Sequence, residues 1–259
     1  MRASALAAMV RINGPNEGVE PFLYTDSLGK VTCAMGHLCD SVEAATGLGW
    51  VNPDGSPADA ATIESAWTTV KNAWPAVSSV NCASLTTIRL PAAAINAITA
   101  SDVARFETTI RQYVPAYDSW PADAQMAIMS MSWAMGAGFL PGFPQFMAAV
   151  NASPPQFSRA APPEALGHFK DAGGGITQRL AWNDLCWNNA QAVIDEGLDP
   201  EVLYWPNPAP TSGSWLPPHA FGLVAALGVT GASGAALLYP ERAQALWAQV
   251  ATMAKGLLR

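Results

Sequence analysis

Apolar residues recur at two different spacings along the first part of the chain. In residues 2–11 they lie three and four positions apart, which predicts a helix ending in the Gly- and Pro-containing segment 14–18. In residues 22–35 short apolar runs flank the segment 26–29, Asp-Ser-Leu-Gly, which predicts two strands and a turn. A helix end and a hairpin can face each other across a cleft.

Helical spacing dominates the chain after a Gly- and Pro-rich loop at 47–57. Residues 58–74 place Ile63, Trp67 and Val70 on one face, and Ser101 is the predicted N-cap of a helix reaching about Val114. Residues 81–90 give an ambiguous pattern. Further helices are predicted near 122–135, 143–150, 162–171 and 176–196, and the glycine run 173–175 is predicted to be a flexible loop. The predicted fold class is α+β, mainly α.

The composition changes near residue 199. We predict a first domain over 1–198, a Pro-rich linker over 199–218 and a hydrophobic to amphipathic helical segment over 219–259. Residues 220–239 carry no charge and are numerous enough to span a bilayer. Their glycines also suit close helix packing, so the alternative is a buried helical hairpin. Both interpretations stay open at this point.

Two carboxylates and a hydroxyl lie close together in the predicted helix–hairpin segment: Glu17, Asp26 and Thr32. Cleavage of a glycosidic bond needs an acid and a second carboxylate that directs water or stabilises the transition state. Apolar neighbours would favour the protonated form of Glu17, whereas Asp26, in a polar turn, would stay ionised. The Thr32 hydroxyl can hold a water by hydrogen bonds. Taken singly, each residue is also an ordinary surface, turn or strand residue.

The joint spacing resembles that of the phage-type lysozymes, glycoside hydrolase family 24, of the T-even phage lysozyme type. A Glu-Gly pair is followed nine positions later by Asp26, with Tyr24 two positions before it, a glycine three after it and Thr32 six after it, and then comes Gly36-His37. The resemblance implies catalytic roles for Glu17, Asp26 and Thr32 and a structural role for His37. Tyr24 and Gly36 are supporting residues. The alternative acid, Glu20, has the wrong spacing and no following glycine.

A weaker resemblance lies further along and extends the similarity over residues 1–196. Segment 125–138 is similar to the central buried helix of the family, with Ala134 at a position that is polar there, and segment 175–179 is similar to the family's closing segment, with Arg179 as its arginine. The resemblance implies a lysozyme-like fold with a small β-hairpin lobe and a helical lobe, joined by the helix at 58–74. The cleft would lie between the lobes.

Composition excludes some classes of function. The formal net charge of −7 and the absence of a basic stripe argue against nucleic-acid binding. Four cysteines, Cys33, Cys39, Cys82 and Cys186, form no CxxC pair and have no histidine at metal spacing, which argues against a metal site. Because the sequence shows no signal peptide, we expect reduced, buried thiols, and the alternative is a pair of disulfides with three possible connectivities. No cofactor is expected. The first ten residues are typical of a helix rather than of a signal peptide.

The leading hypothesis, implied by the resemblance, is a muramidase acting on peptidoglycan glycan strands as a monomer. It would be made in the bacterial cytoplasm and act in the periplasm or cell wall, as a phage endolysin, a virion lysin or a secreted effector. Residues 220–239 add the hypothesis of membrane association. The alternatives are a non-catalytic peptidoglycan-binding or virion structural protein on a decayed lysozyme fold, and a chitin- or chitosan-directed hydrolase.

Overall fold

A computed structural model describes residues 1–77, 79–160 and 173–211 of the chain. The chain forms two compact units, Met1–Ala209 and Pro210–Arg259. The first unit is mainly helical and contains a small antiparallel sheet of three strands. The predicted α+β, mainly α class is therefore confirmed.

Helix α1, Ala3–Glu17, is longer than predicted because it continues through Gly14 and Pro15. Gly14 is required for packing here, since a Cβ atom on it would lie 2.8 Å from Cγ2 of Val19. The helix ends where the Gly18 N–H donates to the Gly14 carbonyl at 2.8 Å. Gly18 has φ +76°, a conformation that favours glycine and turns the chain into the sheet.

The predicted hairpin is confirmed by strands β1, Glu20–Thr25, and β2, Val31–Ala34, with a short third strand β3, His37–Leu38. The strands are antiparallel in the order β1-β2-β3. In this register Tyr24 lies opposite Thr32, and Cys33 lies opposite His37. The predicted site residues therefore lie on adjoining strands.

One hydrophobic core lies under the sheet, and we call this region the sheet lobe. It is covered by helix α2, Val42–Thr46, helix α3, Ala60–Ala73, and a 3₁₀ turn, Ser79–Ser84. The ambiguous segment 81–90 belongs to this core, to which it contributes a cysteine, an isoleucine and a leucine. The principal buried side chains are Leu23, Val31, Cys33, Cys39, Trp50, Ile63, Val70, Cys82, Ile88, Leu90, Ile95 and Ile98.

Helix α4, Ala92–Tyr113, begins nine residues before Ser101, so the predicted N-cap is wrong. Apolar spacing extends this helix back to Pro91, and Ser101 lies inside it. Its first half contributes Ile95 and Ile98 to the sheet-lobe core, and its second half contributes Val103 and Ile110 to a second core. The helix that joins the lobes is therefore α4. The buried residues of α3 all belong to the sheet lobe, so the joining role expected for residues 58–74 is wrong.

The second core defines the helical lobe, whose helices match three predictions, at 122–135, 143–150 and 176–196. The glycine run 173–175 forms the start of a helix instead of a loop, and the helix predicted at 162–171 lies outside the described residues. The remaining elements are 3₁₀ turns Tyr117–Ser119 and Ala137–Gly142 and helices α5, Ala122–Met135, α6, Pro144–Val150, α7, Phe157–Ala160, and α8, Gly173–Glu196. Edge-to-face aromatic contacts dominate the core, centred on Tyr117, Trp120, Phe146 and Trp187.

Residues 199–209, which we call the strap, belong to the first compact unit. The Ala122 N–H donates to the Pro200 carbonyl at 2.9 Å, and Arg2 forms an ion pair with Glu201. Trp205 is buried, with its ring 5.2 Å from that of Trp182. The predicted boundary at residue 198 is therefore eleven residues too early, because buried contacts prevail over proline content in this segment.

The four cysteines are free and buried, as predicted: three in the sheet lobe and one, Cys186, in the helical lobe. The Cys39 thiol donates to the Cys33 sulfur at 3.8 Å. Burial raises the pKa of the Cys186 thiol. Over the described ranges, no helix combines the length and the apolar character needed to cross a membrane. The segment 220–239, for which a span was predicted, lies outside those ranges.

Candidate active site

Glu17 lies at the C-terminal end of α1, where it borders a small open cavity of about 110 Å³. The Gly36 turn of the sheet closes one side of this cavity, which we call the cleft pocket. Helices α4 and α5 provide the other lining residues, which are Asp102, Arg105, Phe106 and Trp133. The predicted acid thus borders the junction of the sheet, the lobe-joining helix and the central helix.

Asp26 begins the hairpin turn, and its carboxylate is oriented by the turn itself. Its Oδ1 accepts the N–H groups of Leu28 and Lys30, both at 2.8 Å. Gly29 completes the turn with φ +74°, and a Cβ there would lie 2.9 Å from the Trp74 ring, so glycine is required twice over. Among the described residues Oδ2 of Asp26 has no hydrogen-bond partner, which leaves one oxygen of a half-buried carboxylate for a ligand or water.

Thr32 and Tyr24 lie opposite each other as a cross-strand pair. Thr32 is buried, and its hydroxyl also donates to the Lys30 carbonyl at 3.1 Å. Burial raises the pKa of Tyr24 to about 12, and the Thr32 hydrogen bond acts in the opposite direction. The Thr32 hydroxyl is thus held by the main chain at the start of β2.

His37 connects the sheet to α4 through a buried carboxylate. Its Nδ1 lies 2.8 Å from Oδ2 of Asp102, which is only 5% exposed. The other oxygen of Asp102 accepts a hydrogen bond from Nη2 of Arg105 at 3.1 Å. This arrangement joins the third strand to the long helix.

The central helix α5 is buried on all sides from Ala122 to Ser132, and its exposed end reaches the cleft pocket. Trp133 donates through Nε1 to the Met35 carbonyl at 2.9 Å, and its ring meets that of Phe106 edge to face at 5.3 Å. Ala134, at the position that is polar in the lysozyme family, is exposed. The side chain of Arg179 lies outside the described part of the structure.

The structure brings together some of the predicted site residues. Glu17 and Gly36 line the cleft pocket, and His37 reaches it through Asp102. Asp26 and Thr32 are not among the residues that line this pocket.

The sequence prediction missed two charged residues of the pocket, Asp102 and Arg105. They lie three positions apart on one helix, and Arg105 directly precedes Phe106. An acid and a base at this spacing, beside an aromatic residue, were the available signal. Asp102 was not recognised as a pocket residue because the start of α4 was predicted too late. An N-cap at Ser101 would put Asp102 in a solvated first turn.

Within the described ranges, no three His, Cys, Asp or Glu side chains are grouped closely enough to hold a metal ion. No protein-family model matches the chain, and no curated protein sequence matches it.

Proposed function

We propose that this chain is a muramidase with a lysozyme-like fold, which hydrolyses β-1,4 bonds between N-acetylmuramic acid and N-acetylglucosamine in peptidoglycan. The observation that carries the proposal is the position of Glu17 in a pocket between a hairpin lobe and a helical lobe. A protein of this activity acts in the cell wall, as an endolysin, virion lysin or secreted effector would. The proposed enzyme needs no cofactor.

The two-lobed arrangement supports the proposal independently of the motif. Helix α4 contributes to both hydrophobic cores, so the cleft pocket lies where the lobes meet. Polysaccharide hydrolases need an open groove that admits a chain from both sides, and a junction between two lobes provides one.

Each member of the proposed catalytic trio has a distinct role. Glu17 protonates the leaving oxygen. Asp26 stabilises positive charge on the sugar ring, which suits a carboxylate held by backbone N–H groups with its second oxygen open. Thr32 positions the attacking water through its hydroxyl. Tyr24 orients that hydroxyl from the neighbouring strand.

The test is digestion of purified sacculi by the wild-type chain, by Glu17→Gln and by a matched control, Glu20→Gln. Glu20 is the other glutamate of this segment and begins β1. Glu17→Gln removes the acid proton, so activity should fall by about 10²–10⁴-fold. Glu20→Gln should keep near wild-type activity. Equal activity in wild type and Glu17→Gln would exclude Glu17 as the acid.

One observation favours the non-catalytic alternative, a peptidoglycan-binding protein on the same fold. Asp26 and Thr32 do not line the pocket that Glu17 lines. A wild-type chain that sediments with sacculi but releases no reducing ends would support this alternative over the enzyme.

A further inference from the structure

Arg105 is the single cationic side chain among the described residues that line the cleft pocket. It faces a pocket whose other charged lining residues, Glu17 and Asp102, are acids. The whole chain carries a formal charge of −7. An anionic group that enters this pocket is therefore attracted by Arg105 and repelled by the net negative charge of the chain.

The guanidinium of Arg105 is oriented but remains open to solvent. Nη2 donates to Oδ1 of Asp102 at 3.1 Å, and Cζ lies 4.8 Å from the centroid of the Phe106 ring. The side chain is nevertheless 69% exposed. Asp102 itself is fixed by His37, so the support behind the guanidinium is rigid.

Most hydrogen-bond donors of Arg105 are left unused by the described residues. A guanidinium has five N–H donors in a planar fork that matches a carboxylate. Within the described structure only one hydrogen bond is made by this group. One edge of the Arg105 guanidinium is thus paired with Asp102 and another edge is exposed. Two parallel N–H groups on an exposed edge can bind a second carboxylate in bidentate fashion.

The wall next to Arg105 is apolar. Phe106 and Trp133 meet edge to face, and the indole N–H of Trp133 already donates to the Met35 carbonyl. These rings therefore offer carbon surface rather than donors. A ligand that suits the pocket has an apolar or sugar face against the rings and a negative group at the guanidinium.

We propose that Arg105 is a specificity-determining residue that binds a carboxylate on the peptide substituent of the glycan strand. This inference rests on the proposed muramidase function, because it places the substituted sugar beside Glu17. Arg105 takes no part in bond cleavage. It selects glycan strands that carry free carboxylates over neutral ones.

The test compares soluble peptidoglycan fragments with the same fragments after their carboxylates have been converted to methylamides. Arg105→Gln should raise KM on the native fragments about tenfold with kcat nearly unchanged, as for loss of one charged hydrogen bond. On the amidated fragments wild type and Arg105→Gln should be equal. Arg105→Lys, which keeps the charge without the fork, should fall between them on native fragments.

Arg159→Gln is the matched control, since it removes the same charge from the exposed surface of α7, away from the pocket. It should leave KM unchanged on both substrates. An equal loss by Arg105→Gln on native and amidated fragments would overturn the proposal, because Arg105 would then act only through Asp102.

Calorimetric binding of both fragment types to Glu17→Gln, with and without Arg105→Gln, separates this inference from the proposed function. If wild type cleaves nothing but binds native fragments more tightly than amidated ones in an Arg105-dependent way, the enzyme proposal fails and the carboxylate site stands. If native and amidated fragments bind equally well and wild type still cleaves peptidoglycan, the carboxylate site is wrong and the enzyme proposal stands.

Discussion

Two buried carboxylates occupy contrasting environments in this protein. Asp102, on the cleft side of α4, is partnered by the side chains of His37 and Arg105. Asp123, at the start of α5, is fully buried, and its donors among the described residues are neutral: one amide side chain and two backbone N–H groups of the strap. Asp102 thus has its partners beside the cleft pocket, whereas the partners of Asp123 hold the main chain of the strap in place.

The electrostatic consequence differs accordingly. Burial raises the pKa of Asp123, while hydrogen bonds from Asn189, Tyr204 and Trp205 favour its ionised form. The amide of Asn189 extends this network, since its Nδ2 also donates to the Asn207 carbonyl and its Oδ1 accepts the Ala209 N–H at 2.8 Å. Asp123 is therefore a structural acid, and Asp102 is placed for a role at the cleft.

Removal of the strap should produce the largest effect. A chain ending at Leu198 loses the donors from Tyr204 and Trp205 to Asp123 and exposes the surface that Trp205 covers. We expect it to aggregate or to unfold at a much lower temperature. A chain ending at Thr211 keeps the first compact unit and should stay folded.

Thermal unfolding and sedimentation of the two truncated chains provide the measurement. A chain ending at Leu198 that melts with the same cooperativity and midpoint as the one ending at Thr211 would mean that the strap contributes nothing to the fold. The original boundary at residue 198 would then be correct.

Asp123→Asn should have the next largest effect. An amide presents N–H groups where a carboxylate oxygen now accepts, so at least one buried donor loses its partner. At about 1–3 kcal/mol for each unsatisfied buried group, we expect a loss of about 3 kcal/mol in the free energy of unfolding, measured by urea denaturation. Activity per folded molecule should not change.

The pH dependence has a definite sign. Because the pKa of Asp123 is raised on folding, the native protein binds this proton more tightly than the unfolded chain does. Its contribution to stability is complete at acid pH and declines as pH rises through the ordinary carboxyl range towards the raised value. Asp123→Asn should abolish that decline, and an unchanged pH profile would contradict the assignment.

Asp102→Asn should cost less. One of its partners is 69% exposed and can turn to solvent, whereas His37 keeps an acceptor in the amide oxygen. We expect a loss of about 1–2 kcal/mol, since exposed ion pairs contribute little and the charged hydrogen bond to His37 provides most of the effect. A loss larger than that of Asp123→Asn, in the same urea experiment, would reverse the comparison.

The sequence predicted the sheet lobe better than the helical junctions, for physical reasons. The turn at 26–29 is encoded locally, because Asp26 caps it and Gly29 supplies the positive φ. The start of α4 is not encoded locally, because its N-cap residue, Pro91, has no capping side chain. Ser101 has the side chain of a typical N-cap but lies inside the helix. In α1 the helix continues through Gly14 and Pro15, where Gly14 leaves room for the side chain of Val19 in the link to β1.

In the candidate site, too, the locally encoded part was predicted from the sequence and the part that depends on long-range packing was not. The spacing of Glu17, Asp26 and Thr32 predicted a helix end facing a hairpin, and the helix end and hairpin are present. The contribution of α4 could not be predicted, because Asp102 is brought to His37 by a contact 65 residues apart in sequence. Pairings of that kind depend on how the lobes pack rather than on any local pattern.

The smallest expected effect concerns Tyr24, a half-buried phenol that lies opposite Thr32 in the sheet. Because burial raises the pKa of Tyr24 to about 12, the native protein retains this proton more tightly than the unfolded chain. The stability that Tyr24 contributes is thus present below the unfolded value of about 10 and is lost as pH rises towards 12. Thr32→Val removes a hydrogen bond that lowers this pKa, so Tyr24 should titrate at still higher pH. At neutral pH the same substitution should cost about 1 kcal/mol, the usual contribution of one neutral hydrogen bond, because the Thr32 hydroxyl no longer donates to the Lys30 carbonyl.

Alkaline titration followed by phenolate absorbance, with Tyr24→Phe as the reference that identifies the signal, measures this shift. A Tyr24 that ionises like a solvated tyrosine would mean that the pair is exposed to water, and the sheet would then hold the Thr32 hydroxyl less rigidly than its hydrogen bonds indicate. A raised pKa that is unchanged by Thr32→Val would mean that burial acts alone. Tyr24 could then no longer be assigned the orienting of Thr32.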